Sequence, residues 1–182
     1  MLNWIFRRTS HDRNAHDLYG SIVTIYRHPS LYSHLNVADT LEMRFELLML
    51  HMFAILRWLN GFGDETGKLR QSLVDSFFAD IETTSRQVGV GDFSVPKKMR
   101  KLAAVFAHRM EAYNIAADQK KNRNLRELLN QVFYSGEKKS SRDATKLVRY
   151  LERLLDRLNL TQLDDVIANP SILENLVDPE RV

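Results

Sequence analysis

Between Thr40 and Gly61 nearly every position of a helical repeat is apolar, and this constrains the fold more than any other stretch of the chain. Thr40 is a strong N-cap, and Gly61, Gly63 and Gly67 supply the loop that stops the helix near Leu59. The longest apolar run, 47–56, is broken by His51 and bounded by Glu46 and Arg57, so it is too short to span a bilayer. A helix apolar nearly all round has no solvent face, and other helices must surround it.

The remainder of the chain supplies those helices. Apolar residues recur at three- and four-residue spacings, and no β-branched alternating run occurs. The spacing predicts a helix over 15–26 that turns Leu18, Ile22 and Ile25 inward and ends at Pro29. A short turn over 31–35 follows it. A third long helix, 69–88, carries Leu69, Leu73, Phe77, Phe78 and Ile81, with Gly89 as its terminal glycine. The next runs from 94 to 117, with Pro96 in its first turn and Leu102, Val105, Phe106 and Met110 facing inward. A helix over 124–134 stops at Ser135-Gly136. The cleanest amphipathic segment, 141–158, has Ala144, Leu147, Val148, Leu151, Leu154, Leu155 and Leu158 on one stripe. A short helix over 161–168 and a further turn after Asn169-Pro170 complete the chain. The fold class expected is all-α: one compact domain of about six main helices around a buried apolar helix. Residues 1–14 read as a flexible N-terminal segment, 15–158 as the helical domain and 159–182 as an acidic tail. The joint most open to flexing is 137–141, and the last few residues are expected to fray.

Charge is mild in total and uneven in distribution. The 182 residues carry a formal net charge of +3, with 44% hydrophobic and 27% charged residues, as in ordinary globular proteins. From 97 to 126 nine Lys or Arg stand against two acids, a balance of +7, whereas 159–182 holds five acids and one Arg, a balance of −4. Either the tail docks on the basic face, or that face is kept for an anionic partner. There is no cysteine, which excludes disulfides and thiolate metal sites and fits a reducing compartment. The N-terminus, with Trp4, Ile5 and Phe6 beside Arg7 and Arg8, is too short for a signal peptide and suits weak contact with a membrane surface. No presequence rich in Ser and Arg precedes the domain, so a bacterial-type cytoplasmic protein is expected.

Catalytic and metal chemistry find little support. His11, His16, His28, His34, His51 and His108 include no pair spaced for two ligands on one helix face, so no metal or other cofactor is expected. No Gly-x-Ser-x-Gly elbow is present. Gly89-Val90-Gly91-Asp92 has the look of a phosphate loop, but it follows a helix and lacks the third glycine. It reads as a helix–helix connection, beside which Lys97, Lys98, Arg100 and Lys101 form a face able to meet anions, lipid headgroups or RNA. Arg44 and His51, seven apart on the central helix, form either a hydrogen-bonded core network with an acid such as Asp75 or Asp80, or the polar floor of a groove.

The wording of the chain adds a resemblance. The segment from Asp39-Thr40-Leu41-Glu42-Met43-Arg44-Phe45-Glu46-Leu47 through Leu50-His51-Met52-Phe53 to Leu56-Arg57 is similar to the core signature of the ubiquinol–cytochrome c chaperone family. Leu73-Val74-Asp75-Ser76-Phe77-Phe78-Ala79-Asp80-Ile81, Arg86, Gly89-Val90-Gly91-Asp92 and Val95-Pro96-Lys97-Lys98-Met99 continue it. Leu18-Tyr19-Gly20, Ala112-Tyr113 and Leu147-Val148-Arg149-Tyr150-Leu151 fit it too, so the resemblance covers 18–155. It implies a non-enzymatic, all-helical assembly factor of ubiquinol–cytochrome c reductase. Such a factor binds newly made cytochrome b at the cytoplasmic face of the bacterial inner membrane, or in the mitochondrial matrix. A second small assembly factor and the ribosome are partners the family implies. No small-molecule substrate is expected. Arg44, His51, Asp80, Asp92, Lys97 and Lys98 are the expected partner-binding residues, and Met43, Met49, Met52, Met99 and Met110 are available to line a client groove. The alternative is a basic helical module that binds RNA or ribosomes, and an enzyme using the glycine loop ranks last.

Overall fold

The structure, a computed structural model, describes residues 10–87, 94–118, 123–136 and 141–177. Among these residues it is all helical: six helices of twelve or more residues, three short ones, one 3-10 turn and no strand. The segments 1–9, 88–93, 119–122, 137–140 and 178–182 lie outside the described residues. The expectations for Trp4 to Arg8, for the Gly89 loop with Asp92, for most of the 137–141 joint and for the last residues fall there.

Local sequence chemistry sets the element boundaries. Helix α1 (Ser10–Tyr26) turns Ala15, Leu18, Tyr19, Ile22 and Ile25 into the core. It begins at Ser10, ahead of the first periodic apolar residue. Its first turn is anchored instead by a polar contact, Ser72 Oγ donating to Asp12 at 2.8 Å. After it, Pro29 opens α2 (Pro29–Ser33), where its missing N–H costs nothing. His28 Nδ1 caps this short helix by accepting from the Ser30 amide at 3.3 Å. Thr40 caps α3 (Leu41–Asn60), its Oγ1 accepting from the Met43 amide at 3.2 Å. A 3-10 turn (Gly63–Thr66) then leads into α4 (Gly67–Gln87). Gly63 has φ +73°, a value that favours glycine. Helix α5 (Val95–Asp118) accommodates Pro96 in its first turn as predicted. Helix α6 (Arg123–Tyr134) ends where Ser135 and Gly136 both turn left-handed, at φ 56° and 69°. Helix α7 (Ser141–Asn159) precedes α8 (Leu163–Ala168) and α9 (Ile172–Leu176).

Helix α3 is the hub, packed by α1, α4, α5, α6 and α7. Residues 46–55 are buried without a break. Around it the fold is built from two tight helix pairs, α1 with α4 and α6 with α7. Tyr19 Oη donates to Asp80 at 2.8 Å and, together with the Ser72–Asp12 bond, sets α1 and α4 side by side in the same direction. Phe45, Phe77, Phe78 and Phe106 form an aromatic cluster with ring centroids 5.0–6.1 Å apart, joining α3, α4 and α5. The C-terminal helices belong to the same core. Val166 and Leu173 are fully buried, and α8 and α9 pack on α1, with α9 also on α7, through apolar side chains rather than through their acids.

Two packing expectations are corrected. Val105, predicted to face inward, is 46% exposed, because α5 turns Phe106, Tyr113 and Ala116 to the core instead. Met49 and Met52 are completely buried core residues, surrounded on α3 as the apolar pattern demands, and so are unavailable to a groove.

Candidate functional site: the cleft between α3, α4 and α5

Helix α3 carries one polar stripe, Glu42, Glu46 and Arg57, and the fold turns the last two toward α5. Arg109 NH2 donates to Glu46 Oε1 at 2.7 Å, and Arg57 donates to Asp118 at 2.6 Å and to Asn114 at 3.1 Å. The two pairs appear in the same chain order on both helices, so α3 and α5 run in the same direction. Polar contacts at two levels hold the helices together, and at the Arg57 level a cleft of about 910 Å³ opens toward α4. Its lining is more polar than apolar, and the apolar part comes from Phe53 and Leu56 of α3, Val74 of α4 and Met110 of α5. Its rim is polar, with Arg57, Arg70, Gln71, Asn114 and Asp118. Arg70 is anchored by Asn60, and Gln71 donates to Asp75 at 2.9 Å, so the rim is braced before anything binds.

The upper ion pair is largely desolvated. Glu46 and Arg109 side chains keep 12% and 21% of their exposure, and burial raises the Glu46 pKa against the opposing pull of Arg109. Tyr113 sits beside them, fully buried, its pKa raised by burial first and by the Glu46 charge second. Glu46 Oε2, Arg109 Nε and Tyr113 Oη make no protein hydrogen bond, so this seam carries polar atoms that burial has not satisfied.

The residues expected to bind partners do not converge on one surface. Arg44 is exposed at the start of α3, bonded bidentately to Asp39 at 2.6 and 3.0 Å and lying over the Tyr32 ring. Lys97 and Lys98 are exposed on the first turns of α5, and Asp80 is exposed on α4 while accepting from Tyr19. Asp92 lies outside the described residues. His51 is the correction. It is 1% exposed and both ring nitrogens are used internally, so it has no surface to offer a partner. Its Nδ1 donates to the Leu47 carbonyl at 2.7 Å, which leaves Nε2 to accept from Tyr150 Oη at 2.6 Å. Burial lowers its pKa to about 4, so the ring is neutral at physiological pH. The core-network reading of His51 is therefore the one observed, with Tyr150 rather than Asp75 or Asp80 as the partner. Of the five methionines proposed for a groove, Met110 lines the cleft. Sequence reasoning passed over Glu46, Arg109, Asn114 and Asp118. The charged ones left a signal, opposite charges in matching order on two helices, which has meaning once those helices are known to be neighbours.

Comparison with known proteins decides the family. The family model described as Ubiquinol-cytochrome C chaperone matches residues 33–172, well over half of the chain. The chain belongs to this family. The crystal structure of the Cbp3 homolog from Brucella abortus superposes with a TM-score of 0.76 at 29% identity, covering 92% of this chain and 93% of that one. The ubiquinol-cytochrome c reductase complex assembly factor 1 of Drosophila melanogaster is 22% identical over 165 residues, 87% of this chain. The chain spans 62% of the length of that relative. The matched region contains all of α3, α4 and α5, the helices that build the cleft.

Proposed function

We propose that this chain is a non-enzymatic assembly chaperone for ubiquinol–cytochrome c reductase that holds newly synthesised cytochrome b. The observation that carries this reading is the cleft, with Leu56, Val74 and Met110 half-buried on its floor and a braced polar rim above. A membrane subunit awaiting assembly exposes apolar helix surface next to polar loops. Half-buried apolar side chains with a flexible thioether among them fit the first, and fixed amides and ions fit the second. Exposed Arg44, Asp80, Lys97 and Lys98, together with Asp92, are the proposed charged contacts of the client. Among the described residues no helix is long and apolar enough to cross a membrane. The proposed place of work is the cytoplasmic face of the inner membrane. A second small assembly factor or the ribosome is a further proposed partner.

A photo-crosslinker placed at Val74 or Met110 is expected to capture nascent cytochrome b, and one at exposed Arg142 on α7 is not. Val74→Asp, which puts a charge on the cleft floor, is expected to lower capture about tenfold while the helical spectrum is kept. Normal levels of the reductase in cells lacking this gene would sink the reading. Exposure of Lys97, Lys98 and Lys101 favours RNA binding as the runner-up. That reading requires affinity that falls steeply with salt, and it fails if no RNA is held at low salt.

A further inference from the structure

On another part of the molecule a hollow of about 220 Å³ lies between α6 and α7, lined by Arg123, Arg126, Thr145, Val148, Arg149 and Glu152. Three guanidinium groups from two helices meet there against one carboxylate. Like charges gathered at one hollow give it a positive potential that attracts anions. Elsewhere Arg44, Arg57, Arg86 and Arg109 each pair with a carboxylate at 2.6–2.8 Å. Arg126 and Arg149 have no such partner among the described residues. Arg123 spends its Nε on Glu127 at 2.8 Å, leaving its terminal nitrogens to turn elsewhere. Arg126 is half-buried, so part of its stem is held in place, whereas Arg149 is exposed and free to close over a ligand. Buried Val148 gives the hollow an apolar back wall.

From this arrangement we propose that the hollow binds a phosphate group. The planar fork of arginine matches phosphate oxygens bidentately, and two or three forks from different directions select a tetrahedral, multiply charged anion over chloride. The volume lies below that of ordinary small-molecule pockets, so the ligand is the phosphate itself or a phosphate projecting from a larger body, with the rest left outside. A phospholipid headgroup and free inorganic phosphate share this chemistry. The site is separate from the α3–α4–α5 cleft and stands whether or not cytochrome b is the client.

The test uses the full chain, the variant Arg126→Gln/Arg149→Gln, and a control, Arg100→Gln/Arg142→Gln, that removes the same charge from exposed positions outside the hollow. Inorganic phosphate is expected to raise the wild-type Tm by about 2–4 °C relative to chloride at equal ionic strength. The hollow variant loses the rise and the control keeps it. Flotation with vesicles containing phosphatidic acid, lost in the hollow variant and absent with phosphatidylcholine alone, assigns the phosphate to a lipid headgroup. Stabilisation by inorganic phosphate without flotation assigns it to the free anion. Equal Tm values in phosphate and chloride together with no flotation, or equal losses in both variants, overturn the proposal.

Discussion

At the scale of single residues, two buried polar groups on α3 set testable energetics. His51 titrates in the folded chain near pH 4, below the ordinary value of 6.5, because burial disfavours its charged form. As pH falls, the unfolded chain takes up this proton first. The His51 contribution is therefore fully present above about pH 6.5 and is lost as pH falls to about 4, amounting to about 3 kcal/mol. Glu46 acts in the opposite sense, because its raised pKa lets the folded chain gain a proton before the unfolded one. Urea unfolding between pH 7.5 and 4 for wild type and His51→Gln isolates the histidine, and the variant is expected to show the shallower acid loss. The Glu46–Arg109 pair gives a second prediction. Arg109→Ala strands a nearly buried carboxylate and is expected to cost about 3 kcal/mol in urea unfolding. Glu46→Leu/Arg109→Met is expected to recover most of that loss, since the pair had to be desolvated in the first place. That His51 had to be hydrogen-bonded if buried followed from its place on an apolar helix. Its partner did not, because Tyr150 lies 99 residues along the chain.

At the scale of elements, local chemistry carries most of the information. Thr40, Pro29, Pro96 and the Ser135-Gly136 pair act through their own backbone and immediate neighbours, so the sequence located the helix ends they define. Thr40→Ala is expected to lower stability by about 1 kcal/mol and Thr40→Ser to keep it, measured by urea midpoints. The α5 helix marks where such reading stops. Its apolar residues lie on more than one side, so periodicity alone did not choose between a core facing with Val105 and one without it. The choice came from Phe77 and Phe78 of α4, which stack on Phe106. Helix α7 was legible in its apolar stripe, which is continuous and admits one facing only, but not in Tyr150, which is also buried.

At the scale of the whole molecule, the segment after α7 bears on how the chain closes. Val166 and Leu173 fill space against α1 and α7, and Arg157 donates to the Leu176 carbonyl at 2.7 Å. Ending the chain after Leu160 is expected to cost about 3–6 kcal/mol and to lower the urea midpoint, since two fully buried apolar side chains lose their sites. A midpoint unchanged by the truncation would show that α8 and α9 add nothing to the fold. The sequence by itself determined an all-α protein, the central place of α3 and most helix boundaries, because hydrophobic period and capping are properties of neighbouring residues. It also held the family, in the wording of α3 and the segments after it. Only the tertiary structure decided that His51 is sealed on Tyr150, that Glu46 and Arg57 bind α5, and that a cleft opens at the Arg57 contact. Those facts depend on which helix faces meet, and that is settled by packing the whole chain at once.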